Sequence, residues 1–321
     1  MRAVIIAAGE SEGMEPLTER RPVPMLPLMD RPFALHMADA LVEQGITEVD
    51  FILSHLPEQI EALLGDGSRW GMAFRYHLAR DERHAHDLLH ILDLCGASGP
   101  VLLGHADRLP GFGHRWADAI EEGLTPVVFC WKSTPARWKP PLPTEASALA
   151  YSGAGLRENA RAGTATLIPQ QADTIPAIRS WTGWAWLSPG DFADLPRDLD
   201  AGKLERHLLR RADPSEAEWN GNPLGEVSAA VITVEKPLAY DSCAGLLEAH
   251  RRVLESDTLA AISGVTEIEE GVRVGDGTRI HPTARLLPPV YVGAGTRIGM
   301  GTQVGPRAVV GADCVLAERS L

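Results

Sequence analysis

At 321 residues, 45% of them hydrophobic, the chain is long enough to build one α/β domain and a smaller one around a real core. A formal net charge of −13 and a pI near 5.3 argue against binding nucleic acid or docking on an anionic membrane. The N-terminal apolar run stops at Ala8, too short for a secretory signal, and no stretch approaches the roughly 20 apolar residues of a spanning helix, so a cytoplasmic protein without membrane contact is expected. Cys95, Cys130, Cys243 and Cys314 stand far apart with no C-x-x-C pair, which predicts reduced, buried thiols rather than disulfides or zinc.

Ala3-Val4-Ile5-Ile6-Ala7-Ala8 reads as a buried parallel strand that breaks at Gly9. The polar loop after it, Glu10 to Glu15, carries a second glycine, Gly13, and a glycine-bearing loop behind such a strand lets backbone N–H groups approach phosphates. By pattern alone a plain strand-turn would look much the same. Phe33 to Gln44 has the apolar spacing of an amphipathic helix stopped by Gly45, Ile46 to Leu53 a second strand, Pro57 to Leu64 a short helix ended by Gly65, and Met72 to Leu78 a third strand. This alternation predicts βαβ units and a mostly parallel sheet.

Asp81 to His90 is dense in histidine, and His86 and His90 lie one helical turn apart as metal ligands do. Histidines so crowded at an exposed helix start are more often solvated or hydrogen-bonded than ligating. Val101 to Asp107 is an apolar strand running into a carboxylate, the place where an α/β fold carries its site; a capping role for Asp107 fits equally. Pro126 to Trp131 reads as another buried strand, Pro135 to Glu145 as a proline-rich loop, and Tyr151 to Ile175 as an antiparallel excursion. In the strand around Trp181, Trp184 and Trp186 must face one side and Trp181 the other, which favours core packing over one stacking platform. Asp198 to Ala212 looks helical, Asp213 to Gly225 a loop, Val231 to Val234 a strand, and Leu246 to Leu254 the apolar face of a helix.

From Ile268 an aliphatic residue recurs every six positions: Val274, Ile280, Leu286, Val292, Ile298, Val304, Val310, Leu316. Four residues after each stands a mostly small or β-branched side chain, as at Thr278, Ala284, Thr296 and Thr302. This is the hexapeptide pattern of a left-handed parallel β-helix, with nine hexads making three triangular coils and every aliphatic residue pointing inward. Its sole histidine is His281 and no long loop is inserted, so assembly is favoured over an acyltransferase site.

Together, Ala3 to Gly9, Pro16-Leu17-Thr18 and Pro24-Met25-Leu26-Pro27 resemble the signature of the sugar-1-phosphate nucleotidyltransferases: the strand "AVILAAG", a G-x-G-T-R loop, "PLT" and "PKPMLP". Ser11, Glu12 and Gly13 replace the loop's second glycine, threonine and arginine, and Val23 replaces the lysine. Gly65 to Gly71 is similar to the family's "GDGSxxG", whereas Asp81 to His90 has lost the glycines of "PLGTAGAL" and places bulky imidazoles where a nucleotide needs room. The resemblance implies a Rossmann-like domain over residues 1–257 followed by the β-helix over 258–321. It implies nucleotide contacts at Ala7, Ala8, Gly9, Glu10 and Ser11, and sugar contacts at Trp181 and Gly183, within a segment similar to "NxGIYxLSP". Magnesium is implied at Asp107, from "LVLNGD", and at Asp241, from the closing "DxGTPxDYLxANRxxL". The ligand implied is a nucleotide or nucleotide sugar, and similar β-helices mediate homo- or hetero-oligomers.

No confident catalytic residue remains, since the family positions are Gly13 and Val23. Two readings follow. One is a relative with lost or strongly reduced catalysis that regulates or scaffolds; the other is an active enzyme making nucleotide sugar and pyrophosphate from NTP and sugar 1-phosphate.

Overall fold

A computed structural model describes residues 1–8, 13–92, 94, 97, 99–110, 126–133, 178–212, 230–256 and 265–320. The chain divides into two compact units, residues 1–131 with 181–321, and residues 132–180. Of the second, residues 132–133 and 178–180 are described, as the ends of two strands. The loop expected at 135–145, the excursion at 151–175 and the loop at 213–225 lie outside the described residues.

Strand β1 (Arg2–Ala7) leads through a small hairpin, β2 (Pro27–Leu28) and β3 (Arg31–Pro32), into helix α1 (Phe33–Glu43). Then come β4 (Glu48–Leu53), α2 (Pro57–Leu64), β5 (Ala73–Leu78), α3 (Glu82–Ile91), β6 (Val101–His105) and the two-residue β7 (Arg108–Leu109). β8 (Val127–Ser133), β9 (Ile178–Leu187), α4 (Pro189–Ala193), α5 (Ala201–Ala212), β10 (Ala230–Thr233), β11 (Leu238–Ala239) and α6 (Cys243–Glu255) follow. Seven strands form one sheet in the order β10-β8-β9-β6-β1-β4-β5. β1 is parallel to both neighbours, β4 is parallel to β5 and β8 to β10, while β9 runs antiparallel to β6. The expected mixed α/β architecture with a mostly parallel sheet is therefore present.

Alternation in β1 feeds both faces of this sheet. Ala3, Ile5 and Ala7 join the core under α1, α2 and α6; Val4, Ile6 and Ala8 join the core under α3, α4 and α5. The tryptophans divide as period two requires, Trp184 and Trp186 into the first core and Trp181 into the second. Helix limits follow local chemistry. Gly45 and Gly65, at φ +71 and +62, end α1 and α2, while the Asp81 and Ser242 side chains accept from the His84 and Gly245 N–H groups at the starts of α3 and α6.

Two polar groups inside this core make stability depend on pH. His36 is 4% exposed with its Nε2 donating to Leu28 O at 3.2 Å, and burial together with Arg31 lowers its pKa to about 4. The unfolded chain then binds a proton near pH 6.5 that the folded chain refuses until about pH 4. Stability is expected to fall by about 3 kcal/mol as pH drops through that window. Denaturant midpoints measured from pH 7 to 4 check this, and a His36→Leu variant should flatten that part of the curve.

Asp50, 1% exposed, is ringed by Arg2 at 2.7 Å, His77 at 2.8 Å and Arg75 at 3.0 Å. Burial raises its pKa, but the three hydrogen bonds outweigh that and the net shift is downward. The stabilisation is thus present above the unfolded carboxyl pKa and lost as pH falls through the folded one. Because the arginines are partly solvated, Asp50→Asn is expected to cost about 2 kcal/mol at neutral pH, read as a lower unfolding midpoint.

After α6 the strands shorten. β12 (Val265–Glu269) pairs antiparallel with β13 (Val272–Gly275). β14 (Arg279–Ile280), β15 (Arg285–Leu286), β16 (Val290–Val292), β17 (Arg297–Ile298), β18 (Gln303–Val304), β19 (Ala308–Val310) and β20 (Val315–Leu316) succeed one another. From β13 onward each strand pairs in parallel with the strand three further on. Val272 meets Val290 and Val290 meets Ala308, Ile280 meets Ile298, and Leu286 meets Val304. The aliphatic positions from Val274 to Leu316 share one apolar cluster. Thr278, Thr296 and Thr302 donate their hydroxyls to Gly293, Gly311 and Ala317 carbonyls at 3.1, 2.8 and 2.7 Å, tying successive coils together.

Two expectations are corrected here. Ile268 does not point inward: it is 50% exposed, because β12 runs antiparallel to β13 and stands outside the parallel ladders. Of the described cysteines Cys130 is buried, but Cys243 is exposed and Cys314 half-buried, all three with free thiols. A short solenoid and a helix start leave those side chains nearer water than a sheet core does.

Candidate functional site

The chain is steered into the site by β6. Val101, Leu102 and Leu103 are fully buried, and Gly104 lets the Trp184 ring lie flat on the strand, since a Cβ there would fall 2.5 Å from that ring. The Ala106 N–H continues the pairing to Ile6 O at 2.9 Å, and the next residue is Asp107. β7 then pairs antiparallel with β11, Ala239 opposite Arg108, and the Tyr240 N–H donates to Asp107 O at 2.7 Å. That short ladder brings Asp241 to Asp107 from far along the sequence, close enough for its charge to raise the Asp107 pKa.

Arg108 stands with these carboxylates. Its Nε donates to Asp107 Oδ2 at 3.3 Å, with the two side chains 33% and 26% exposed towards the cleft. Burial pushes the Asp107 carboxyl above its usual range, against the pull of Arg108. Burial also works against the Arg108 charge, but Asp107, then Asp241 and Glu205, hold it protonated. The arginine is fixed from behind: Trp184 Nε1 donates to Arg108 O at 2.8 Å, and Gly183, at φ +87, leaves the space where a Cβ would meet Arg108 Cδ at 3.0 Å.

Two cavities open where strand ends place a ligand in α/β folds. The smaller, about 90 Å³, is lined among others by Ala7, Val23, Glu82, His105, Asp107 and Arg108. The larger, about 390 Å³, is lined by Ala8, Ser54, His55, Leu56, Arg80, Asp81 and Glu82, and falls within the usual range for small-molecule sites.

The expected residues fall unevenly around this cleft. Ala7, Val23 and Asp107 line the smaller cavity and Ala8 the larger; Gly9, Glu10 and Ser11 lie outside the described residues. Val23 is 4% exposed. Gly13 sits at φ +85 with its N–H donated to Glu15 Oε2 at 3.0 Å, so a carboxylate holds the loop where the family carries arginine. Gly183 lies behind Arg108. Trp181 is 4% exposed, its Nε1 bonded to Trp184 O at 2.8 Å and its ring edge-on to His105, which leaves no ring face for a sugar to stack on.

The crowding imidazoles expected over Asp81 to His90 are absent from both cavities, and this corrects the expectation of a blocked pocket. The His86 side chain turns into the core with Nδ1 bonded to Glu82 O, His90 reaches Pro196 O, and His84 accepts from the Arg80 N–H. They do not converge, and among the described residues no three His, Cys, Asp or Glu side chains are grouped to hold a metal.

Asp107 and Asp241 have the chemistry of magnesium ligands, but a guanidinium already bonded to Asp107 repels a dication. The set as placed does not fit the ion. Sequence reasoning missed Arg108, Glu15 and His105. The first two were visible as charged neighbours of motif positions; the third had no signal of its own.

Residues 2–107 match the nucleotidyl transferase family model. The chain is 40% identical over 76 residues to N-acetylmuramate alpha-1-phosphate uridylyltransferase of Neisseria meningitidis, covering 24% of this chain and 33% of that protein. It is 34% identical over 76 residues to UTP--glucose-1-phosphate uridylyltransferase of Synechocystis sp., covering 24% and 20%. With glucose-1-phosphate thymidylyltransferase of Xanthomonas campestris it shares 28% over 143 residues, covering 43% and 48%. The matched segments thus span from a fifth to about half of these relatives' lengths. A crystal structure from Bacillus anthracis, assigned as a glucose-1-phosphate thymidylyltransferase, shares the fold at a TM-score of 0.54 and 12% identity, over 80% of this chain and 97% of that one. Residues 2–107, the segment that ends in Asp107, are thus similar to nucleotidyl transferases, with sugar-1-phosphate nucleotidyltransferases among the relatives matched.

Proposed function

We propose that this protein binds a nucleotide or nucleotide sugar in the cleft at the ends of β1, β5 and β6 and has lost most or all transfer activity, acting as a regulatory or scaffold relative. In this reading residues 1–257 form the nucleotidyltransferase-like domain in the cytoplasm. Residues 258–321 form a left-handed parallel β-helix that joins it to further copies or to a partner.

The observation that carries the reading is Val23, an apolar, buried side chain lining the cavity beside Asp107 at the family's lysine position. Nucleotidyl transfer is an in-line displacement at the α-phosphate, and the protein supplies mainly position and positive charge. Gly13 removes a second cation, and Glu15 adds an anion at that loop. The 390 Å³ cavity still offers ligand space, edged by Arg80.

Titration calorimetry with nucleoside triphosphates and nucleotide sugars is the test. At least one should bind with Kd below about 1 mM, and no measurable affinity for any would overturn the binding role. A second reading, an active nucleotidyltransferase, is favoured by the names of the relatives, all of them uridylyltransferases or thymidylyltransferases among those described. It requires Arg80 or Arg108 to take over the phosphate contacts.

A further inference from the structure

We propose that Arg108 is the resident cation of this cleft, standing on Asp107 where a divalent ion would have to bind, so that the site holds its oxyanion-bearing ligand without a metal. The inference rests on the cleft being a ligand site, as proposed above, but not on whether it turns over.

Arg108 is built in rather than resting on a surface. The β7–β11 ladder sets its backbone, Trp184 Nε1 fixes its carbonyl, and Gly183 is shaped to its side-chain stem, Cδ lying 3.0 Å from the position a Cβ would take. Its Nε is spent on Asp107 at 3.3 Å, within the field of Asp241. Among the described residues its Nη groups make no hydrogen bond, which leaves a planar pair of charged donors for a phosphate oxygen. His105 lines the same cavity, its Nε2 buried and without a hydrogen-bond partner among the described residues.

The position of the guanidinium decides against the metal, since its Nε already stands on Asp107 Oδ2 at 3.3 Å. A magnesium ion placed there would meet a like charge a few ångströms away in a partly desolvated cleft, where such repulsion is large. Arg108 thus replaces the ion's charge while its own geometry redirects the site to a ligand oxygen.

Manganese, used alone as an electron-paramagnetic probe of magnesium sites, tests this on the full chain without nucleotide. Wild-type protein should show no site tighter than about 1 mM. Arg108→Met, which keeps the stem and removes the charge, should gain a site at least about tenfold tighter, abolished by adding Asp107→Asn. Arg108→Lys, with the charge kept, should not gain it. Submillimolar binding by wild type that Asp107→Asn abolishes would overturn the proposal, as would a folded Arg108→Met that gains nothing. Should Arg108→Met fail to fold, Arg108→Gln is read by the same criteria, and the wild-type titration stands by itself. Turnover that survives EDTA would sink the loss of catalysis proposed above while leaving the arginine's role intact; tight manganese binding without turnover would do the reverse.

Discussion

Trp184→Ala is expected to destabilise the protein by about 4 kcal/mol and to lower its unfolding temperature by on the order of 10 °C. The indole is fully buried, lies flat on Gly104 where no side chain could share the space, and gives its N–H to Arg108 O at 2.8 Å. Alanine leaves a cavity on the face of β6 and β9, over Gly104, that the sheet cannot close because both strands are fixed by their register, Gly104 opposite Trp184. It also frees the carbonyl that positions Arg108, so ligand affinity should fall with stability. Leu247→Ala, at a site 68% exposed, is the control and should stay within about 0.5 kcal/mol. A loss below about 1 kcal/mol for Trp184→Ala would mean that the indole is not packed as described.

Turnover carries the largest expected effect. Removing one positioned electrostatic donor typically costs about 10² to 10³ in rate, so two independent losses at Gly13 and Val23 amount to about 10⁴ or more. From an ordinary enzyme rate of about 10 s⁻¹ this leaves about 10⁻³ s⁻¹. Restoration should be uneven. Val23→Lys puts a cation into the cavity beside Asp107 and should recover about 10²-fold if the frame is intact. Gly13→Arg should recover little, because φ +85 is strained for any side chain and Glu15 already occupies the N–H. Equal recovery by both variants would show that the loop keeps the family's shape.

Much of the fold was legible because its elements obey simple periods. The alternation of apolar runs and glycine-stopped helices through Asp107 gave the sheet, and period two alone divided the three tryptophans between two cores. The six-residue recurrence located the strands that pair three apart, but not the exception at Ile268, which falls at a register shift in the antiparallel strand before β13. The site was less legible. Asp107 and Asp241 come together through two-residue strands too short to have a pattern. Arg108 was readable only as a letter beside Asp107. That it pairs with that carboxylate, instead of pointing away, follows from Gly183 and Trp184, residues distant in sequence. The histidines of α3 misled for the same reason: composition shows their density, whereas capping and helix phase decide where each ring goes.

Pyrophosphate release by the full chain, with each common NTP and hexose 1-phosphate at saturating concentration in magnesium buffer, tests most directly whether this cleft has kept its frame but lost its chemistry. The expected result is a rate near 10⁻³ s⁻¹, no higher than that of an Asp107→Asn variant, and raised by Val23→Lys. Turnover above about 1 s⁻¹ by the unaltered protein, abolished in Asp107→Asn, would contradict it.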